Sequence, residues 1–203
     1  EEMAATDKID AVYIASPNKL HIEQARVFLE HGKHVICEKP LSAHAKDVAE
    51  LQTLAKERGL IYLEAIMFMH LPQRKLLEEA LKKIGDISVA KIDFCQRSSK
   101  YDAYLAGSLP NIFNPALETG ALMDLGVYCV YPALYLLGKP QNTLAVSHLL
   151  ASGADGSDIV AMQYPDKLVN LVFSKVGQAG ANTDFQGTNG TVSVESISKL
   201  ANI

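Results

Sequence analysis

The first third of the chain alternates short apolar runs with longer amphipathic ones. "AVYIA" (Ala11 to Ala15) has the length and the β-branched and aromatic content of a strand, and it ends at Ser16-Pro17. From about Lys19 to His31 the pattern becomes helical, with Leu20, Val27 and Phe28 among the apolar positions and Gly32 as the stop. "HVIC" (His34 to Cys37) predicts a second strand. Ser42 is the expected cap of a second helix whose inward stripe is Val48, Leu51 and Ala55 and whose end is Gly59. "LIYLEA" supplies a third strand. Strand, helix, strand, helix, strand at this spacing implies right-handed crossovers and a parallel sheet.

From about residue 65 the pattern changes. A charged amphipathic helix (Gln73 to Lys83) leads into "DISVAKIDFCQ", where Ala90, Ile92 and Phe94 alternate with Lys91 and Asp93 as in a strand with one covered face. A polar, proline-bearing connector (Ser98 to Pro115) precedes an apolar helix from about Gly120 to Leu137. Four further strands are expected at "TLAVSHLLA", "DIVAMQY", "LVNLVFSKV" and "TVSVES", with turns at "SGADGS" and "GTNG". The expected fold class is α/β with α+β: a parallel βαβαβ unit over residues 1–65, then a second α/β domain over 66–203 with a large, mostly antiparallel open sheet. The chain enters its first strand almost at once, which reads as part of a sheet whose earlier strands are absent.

Composition narrows the function classes. With 203 residues, 48% of them hydrophobic, the chain can bury one generous core or two modest ones. The formal net charge is −4, and Lys and Arg are dispersed among acids, so neither a nucleic acid nor a membrane surface is an expected partner. Cys37, Cys95 and Cys129 are odd in number, widely spaced and set in apolar stretches, the pattern of buried free thiols in a cytoplasmic protein.

Two places carry candidate chemistry. In an open parallel sheet, ligands bind beyond the carboxyl ends of the strands. The first strand delivers Ser16, Pro17 and Asn18 to that edge, with His21 one turn into the helix, and the second delivers Glu38, Lys39 and Pro40. On spacing alone, a solvated ion pair at a strand end accounts for Glu38 and Lys39 as well. The second place is the helix "GALMDLGVYCVYPALYLLG", where Asp124 and Tyr128 are four residues apart and share a face. An aspartate inside so apolar a helix is costly unless paired. Core aromatics with hydroxyls reaching water remain the reading for Tyr131 and Tyr135. The six histidines form no zinc-like ligand pair, and no metal is expected. Neither a G-x-S-x-G nucleophile elbow nor a G-x-G-x-x-G phosphate loop occurs in these residues.

Taken in order, "SPNKLH", "GKHVICEKPLS", "GALMDLGVYCVYPALYLLG" and "GTNGTVSVE" resemble the landmarks of the Gfo/Idh/MocA family of nicotinamide-dependent oxidoreductases. The resemblance covers nearly the whole chain, and Glu-Lys-Pro after a strand is its most specific element. It implies a partial Rossmann domain for NAD or NADP, followed by a domain whose open sheet covers the nicotinamide and mediates homo-oligomerisation. By that likeness Ser16, Pro17, Asn18, His21, Glu38, Lys39 and Pro40 lie near the cofactor, and Lys39 reaches the substrate oxygen. Asp124 takes the place of the family's helix aspartate, and Tyr128 stands where a histidine is common, as in the branch of dihydrodiol dehydrogenases, sugar dehydrogenases and glucose-fructose oxidoreductase. The implied reaction is hydride transfer between nicotinamide and a sugar, polyol or cyclic diol, with Lys39, Asp124 and Tyr128 as catalytic residues. A non-catalytic sensor on the same fold, binding dinucleotide or sugar, is the alternative. The glycine loop of such a domain is missing here, and the chain stops soon after "GTNGTVSVE". The resemblance therefore implies an internal portion of a longer protein, which by itself binds cofactor weakly.

Overall fold

The computed structural model describes residues 2–203, and the chain divides into two compact units, residues 1–66 with 116–118 and residues 67–115 with 119–203. In the first unit α1 (Glu2–Ala5) precedes β1 (Ala11–Ile14), a 3-10 turn (Asn18–Leu20), α2 (His21–Glu30), β2 (His34–Cys37), α3 (Ala45–Glu57) and β3 (Tyr62–Glu64). The three strands form a parallel sheet in the order β1-β2-β3. One face is covered: Ala25 and Leu29 of α2 and Leu51 and Ala55 of α3 bury Ile14, Val35 and Cys37. On the other face Tyr13, Ile36 and Leu63 pair across the strands in a single row and remain exposed. Ser42 does not cap α3. Its hydroxyl accepts the His44 N–H at 2.9 Å, and His44, in extended conformation, is the residue before the helix. The local turn takes up the oxygen that the cap would have used.

The second unit holds α4 (Met67–His70), α5 (Gln73–Leu81), β4 (Ile87–Cys95), α6 (Tyr101–Leu105), a π-helical turn (Leu122–Gly126) running into α7 (Val127–Leu137), and strands β5 (Asn142–Leu149), β6 (Asp155–Gln163), β7 (Leu168–Ser174), β8 (Thr183–Gly187) and β9 (Gly190–Val194). The six strands order as β5-β6-β7-β4-β8-β9, antiparallel except for the central β4–β7 pair, which is parallel. β8 has no counterpart among the strands expected from sequence, because "TDFQG" mixes polar and apolar residues too evenly for a period of two to stand out. Thr188-Asn189 then makes the tight turn to β9. The connector also holds more structure than its polarity suggests: Tyr101, Tyr104 and Phe113 pack as an aromatic cluster, with Phe113 fully buried.

One face of this sheet buries Ala90, Ile92, Leu171, Phe173 and Phe185 against Leu125, Cys129 and Ala133 of the helical segment. The other face is open, with Val89, Leu144, Val146, Ile159 and Leu168 exposed, and Val89, Leu144 and Leu168 line a shallow depression of about 470 Å³. Cys37 and Cys129 are buried thiols and Cys95 is half-buried. Among the described residues no helix is long and apolar enough to cross a membrane.

Gly126 brings the helical segment down onto the sheet. A Cβ at this position would lie 2.7 Å from Cε2 and 2.8 Å from Cζ of Phe173, whose ring is itself fully buried. Gly126→Ala must push the ring or the helix aside, so a loss of about 1–3 kcal/mol is expected in urea unfolding, as for other overpacked cores.

Candidate active site

Each unit contributes one group of candidate residues. In the first, the carboxyl ends of β1 and β2 carry Ser16, Pro17 and Asn18 and Glu38, Lys39 and Pro40, and the Lys39–Pro40 peptide is cis. His21 ties the two loops together. Its ring is fully buried, with Nδ1 2.8 Å from the Pro40 carbonyl oxygen and Nε2 2.9 Å from that of Ser16. Both ring nitrogens are thus engaged beneath the loops, so His21 shapes the ligand edge from below. Ser16 donates its hydroxyl to Gln24 Oε1 at 2.8 Å, and Asn18 donates through Nδ2 to the carbonyl of Glu118, also at 2.8 Å.

The Glu38 carboxylate accepts the Tyr13 hydroxyl and, at 3.2 Å, the Lys39 backbone N–H. Glu64, closing β3, accepts the Leu41 N–H at 3.1 Å. Burial pushes the Lys39 ammonium down to about 8, against the opposing pull of Glu38 and Glu64. It therefore keeps its proton at neutral pH and yields it about one unit above. Burial and the same two carboxylates push the Cys37 thiol up to about 12, so Cys37 is packing, not a nucleophile.

In the second unit Asp124 lies in the π turn and Tyr128 in the first turn of α7. π turns are rare and frequent at functional sites. Three contacts hold this one. Asp155, at the start of β6, accepts the Leu122 N–H at 2.6 Å through Oδ2, and its carboxylate fills the space where any side chain at Gly120 would be. Gly126 lies against Phe173. Asp124 is paired through Oδ2 with the ammonium of Lys175, a residue just beyond β7 that is only 4% exposed. The Tyr128 ring meets Phe94 edge to face, centroids 5.6 Å apart. Pro132, four residues on, lacks the N–H that would bond the Tyr128 carbonyl.

Lys175 and Asp155 escaped the sequence reading. A lysine ending an apolar strand with no acid nearby in sequence is a signal for the first. Asp155 was absorbed into an apparent turn. Asp158, on the covered face of β6, hydrogen bonds with Asp155 and Ser147, while its Oδ2 is buried without a partner.

Comparison with known proteins assigns both halves. Residues 1–66 match the oxidoreductase family model with an NAD-binding Rossmann fold, and residues 74–193 match the GFO/IDH/MocA C-terminal domain. The chain belongs to the Gfo/Idh/MocA oxidoreductase family. It is 44% identical over 197 residues to scyllo-inositol 2-dehydrogenase (NADP(+)) IolU of Bacillus subtilis, covering 97% of this chain and 60% of that protein. It is 29% identical over 202 residues to mouse trans-1,2-dihydrobenzene-1,2-diol dehydrogenase, covering 97% and 58%. Among solved structures, a tyrosine-to-phenylalanine mutant of KijD10, a 3-ketoreductase from Actinomadura kijaniata in complex with TDP-benzene and NADP, matches with a TM-score of 0.85 at 27% identity, covering 97% of this chain and 60% of that one. The chain thus spans about three-fifths of the length of these relatives.

Burial, with the neighbouring carboxylate of Asp155, pushes Asp158 up from 3.8 to about 6. Between these values the folded state binds more protons than the unfolded one, so stability falls as pH rises through the window. Asp158→Asn, which removes the charge, is expected to raise the urea midpoint more at pH 7.5 than at pH 4. Equal changes at the two pH values would contradict this.

Proposed function

We propose that the protein containing this chain is an NAD(P)-dependent dehydrogenase or reductase, acting on a hydroxyl or carbonyl carbon of a sugar, polyol or cyclic diol. What supports this reading is a chain of this family whose first unit carries a half-buried Lys39 at the carboxyl edge of a parallel sheet and whose second unit carries a helical segment bearing Asp124 and Tyr128. The relatives named for inositol and dihydrodiol oxidation, and the ketoreductase seen with NADP, support the substrate class. The carboxyl-end loops of β1 and β2 have the chemistry to receive the nicotinamide and its ribose: Glu38 offers an acceptor for ribose hydroxyls, and Ser16, Pro17, Asn18 and Pro40 wall the edge that His21 holds in place.

A nicotinamide bound there supplies the hydride acceptor or donor. The chain supplies proton control. Oxidation of a carbinol requires its hydroxyl proton to leave as the hydride leaves. Tyr128 takes that proton at its phenolic oxygen and returns it in the reverse direction. A free phenol has a pKa near ~10, so it needs a nearby positive charge to act at neutral pH. The Lys39 ammonium provides that charge and donates a hydrogen bond to the substrate oxygen. Asp124 orients the substrate beside Tyr128. In the proposed assembly the protein works in the cytoplasm as a homo-oligomer. The apolar open face of the β5-β6-β7-β4 sheet is the surface that supports self-association.

The test uses the full-length protein with NAD and NADP and a panel of sugars, inositols and diols, read by nicotinamide absorbance. Turnover is expected, with Tyr128→Phe slower by about 100-fold or more at nearly unchanged cofactor affinity. The alkaline limb of the pH profile is expected to fall near the Lys39 value of about 8. Cofactor binding with no turnover on any substrate would favour a non-catalytic sensor. For the oligomer, Ile159→Asp at the centre of the open face is expected to lower the mass seen by light scattering; an unchanged mass would place the interface elsewhere.

A further inference from the structure

The proposed chemistry leaves Lys175 without a task, yet the fold places it with unusual care. Its backbone N–H donates to the Gly156 carbonyl at 2.9 Å and its own carbonyl accepts the Ser98 N–H at 2.8 Å, so the residue is pinned to β6 on one side and to the chain leaving β4 on the other. Behind it the Ser174 hydroxyl accepts the Gly177 N–H at 2.8 Å and closes the turn. From this rigid base the side chain, 5% exposed, delivers its ammonium to Asp124, whose side chain is 39% exposed.

The asymmetry carries the argument. Burying an ammonium is expensive, and a buried ion pair is seldom more stabilising than well-packed apolar side chains of the same volume. Stability alone does not call for a lysine here. The arrangement puts the cation behind and an accessible carboxylate in front, four residues before Tyr128 on the same helical segment. A carboxylate so backed is fixed in position, and its exposed side is an acceptor for a hydroxyl of the substrate.

Resting on the dehydrogenase reading above, we infer that Lys175 is a positioning residue: it anchors Asp124 so that the carboxylate holds a hydroxyl next to the one oxidised, which makes vicinal diols the preferred substrate class. Lys175 acts through Asp124 and touches no reacting atom.

The experiment is a double-mutant cycle in the full-length enzyme with Lys175→Met and Asp124→Asn, measured on a vicinal-diol substrate from the panel and on an alcohol that lacks the neighbouring hydroxyl. Lys175→Met is expected to lower kcat/KM on the diol by roughly tenfold or more, much of it through KM, with cofactor affinity within about twofold of wild type. The simple alcohol is expected to lose far less. The double variant should be no slower than Asp124→Asn alone, because the lysine has nothing left to position. Additive losses, or equal losses on both substrates, would overturn the inference. A second arm reads the pair without activity: in urea unfolding, Lys175→Met should cost less in the Asp124→Asn background than in the wild type. An enzyme that turns over no panel substrate refutes the dehydrogenase reading, whereas turnover with an additive cycle refutes only the role of Lys175.

Discussion

A buried ammonium must meet its counter-charge, and in the second unit that requirement sets the course of the helical segment over the sheet. Lys175 is fixed by backbone bonds to β6 and to the chain leaving β4, so Asp124 must come to it. Asp155 holds the Leu122 N–H at the start of the segment, and Gly126 lets the segment settle on Phe173. An α-helix continuous from Gly120 would have to satisfy all three anchors with one pitch. The π turn takes up the difference over Leu122–Gly126, after which ordinary α-helix resumes and presents Tyr128 against Phe94. The irregularity follows from placing charges correctly, which is one reason such turns gather at sites of chemistry.

The first unit solves a related problem with a buried imidazole ring. Two loops at the carboxyl ends of β1 and β2 must keep their shape beyond the last ladder bond, which the Glu38 N–H makes to the Ile14 carbonyl at 2.8 Å. The His21 ring spans them, touching the Ser16 and Pro40 carbonyls, and Glu64 holds the Leu41 N–H from the third strand. One buried side chain thus converts the geometry of α2 into the geometry of both loops.

Much of the framework was legible because burial follows period. Val35 and Cys37 of β2 and the stripe at Leu51 and Ala55 of α3 are the residues that a parallel sheet with one covering layer must hide, and they are hidden, while Ile36 between the two β2 residues lies on the open face. Glu38, Lys39, Asp124 and Tyr128 stood out because charged or polar groups bordering apolar runs need a reason. What stayed illegible depends on distant pairing. Ser42 looked like a cap, but its oxygen is spent on His44. "TDFQG" became a strand because β4 and β9 offered it partners on both sides. Lys175 acquired its meaning only from an aspartate 51 residues earlier.

The two lysines show how one side-chain type can be tuned to separate tasks by its surroundings. Lys39 is half-buried beside Glu38 and Glu64, and desolvation outweighs their attraction, so its proton is held at neutral pH but within reach of release. Lys175 is buried against a carboxylate in direct contact, where attraction opposes desolvation at the shortest range available. Such a group is suited to holding position. Were the two environments exchanged, the carboxyl edge of the first sheet would carry a locked ion pair, and the π turn would lose the anchor that fixes Asp124.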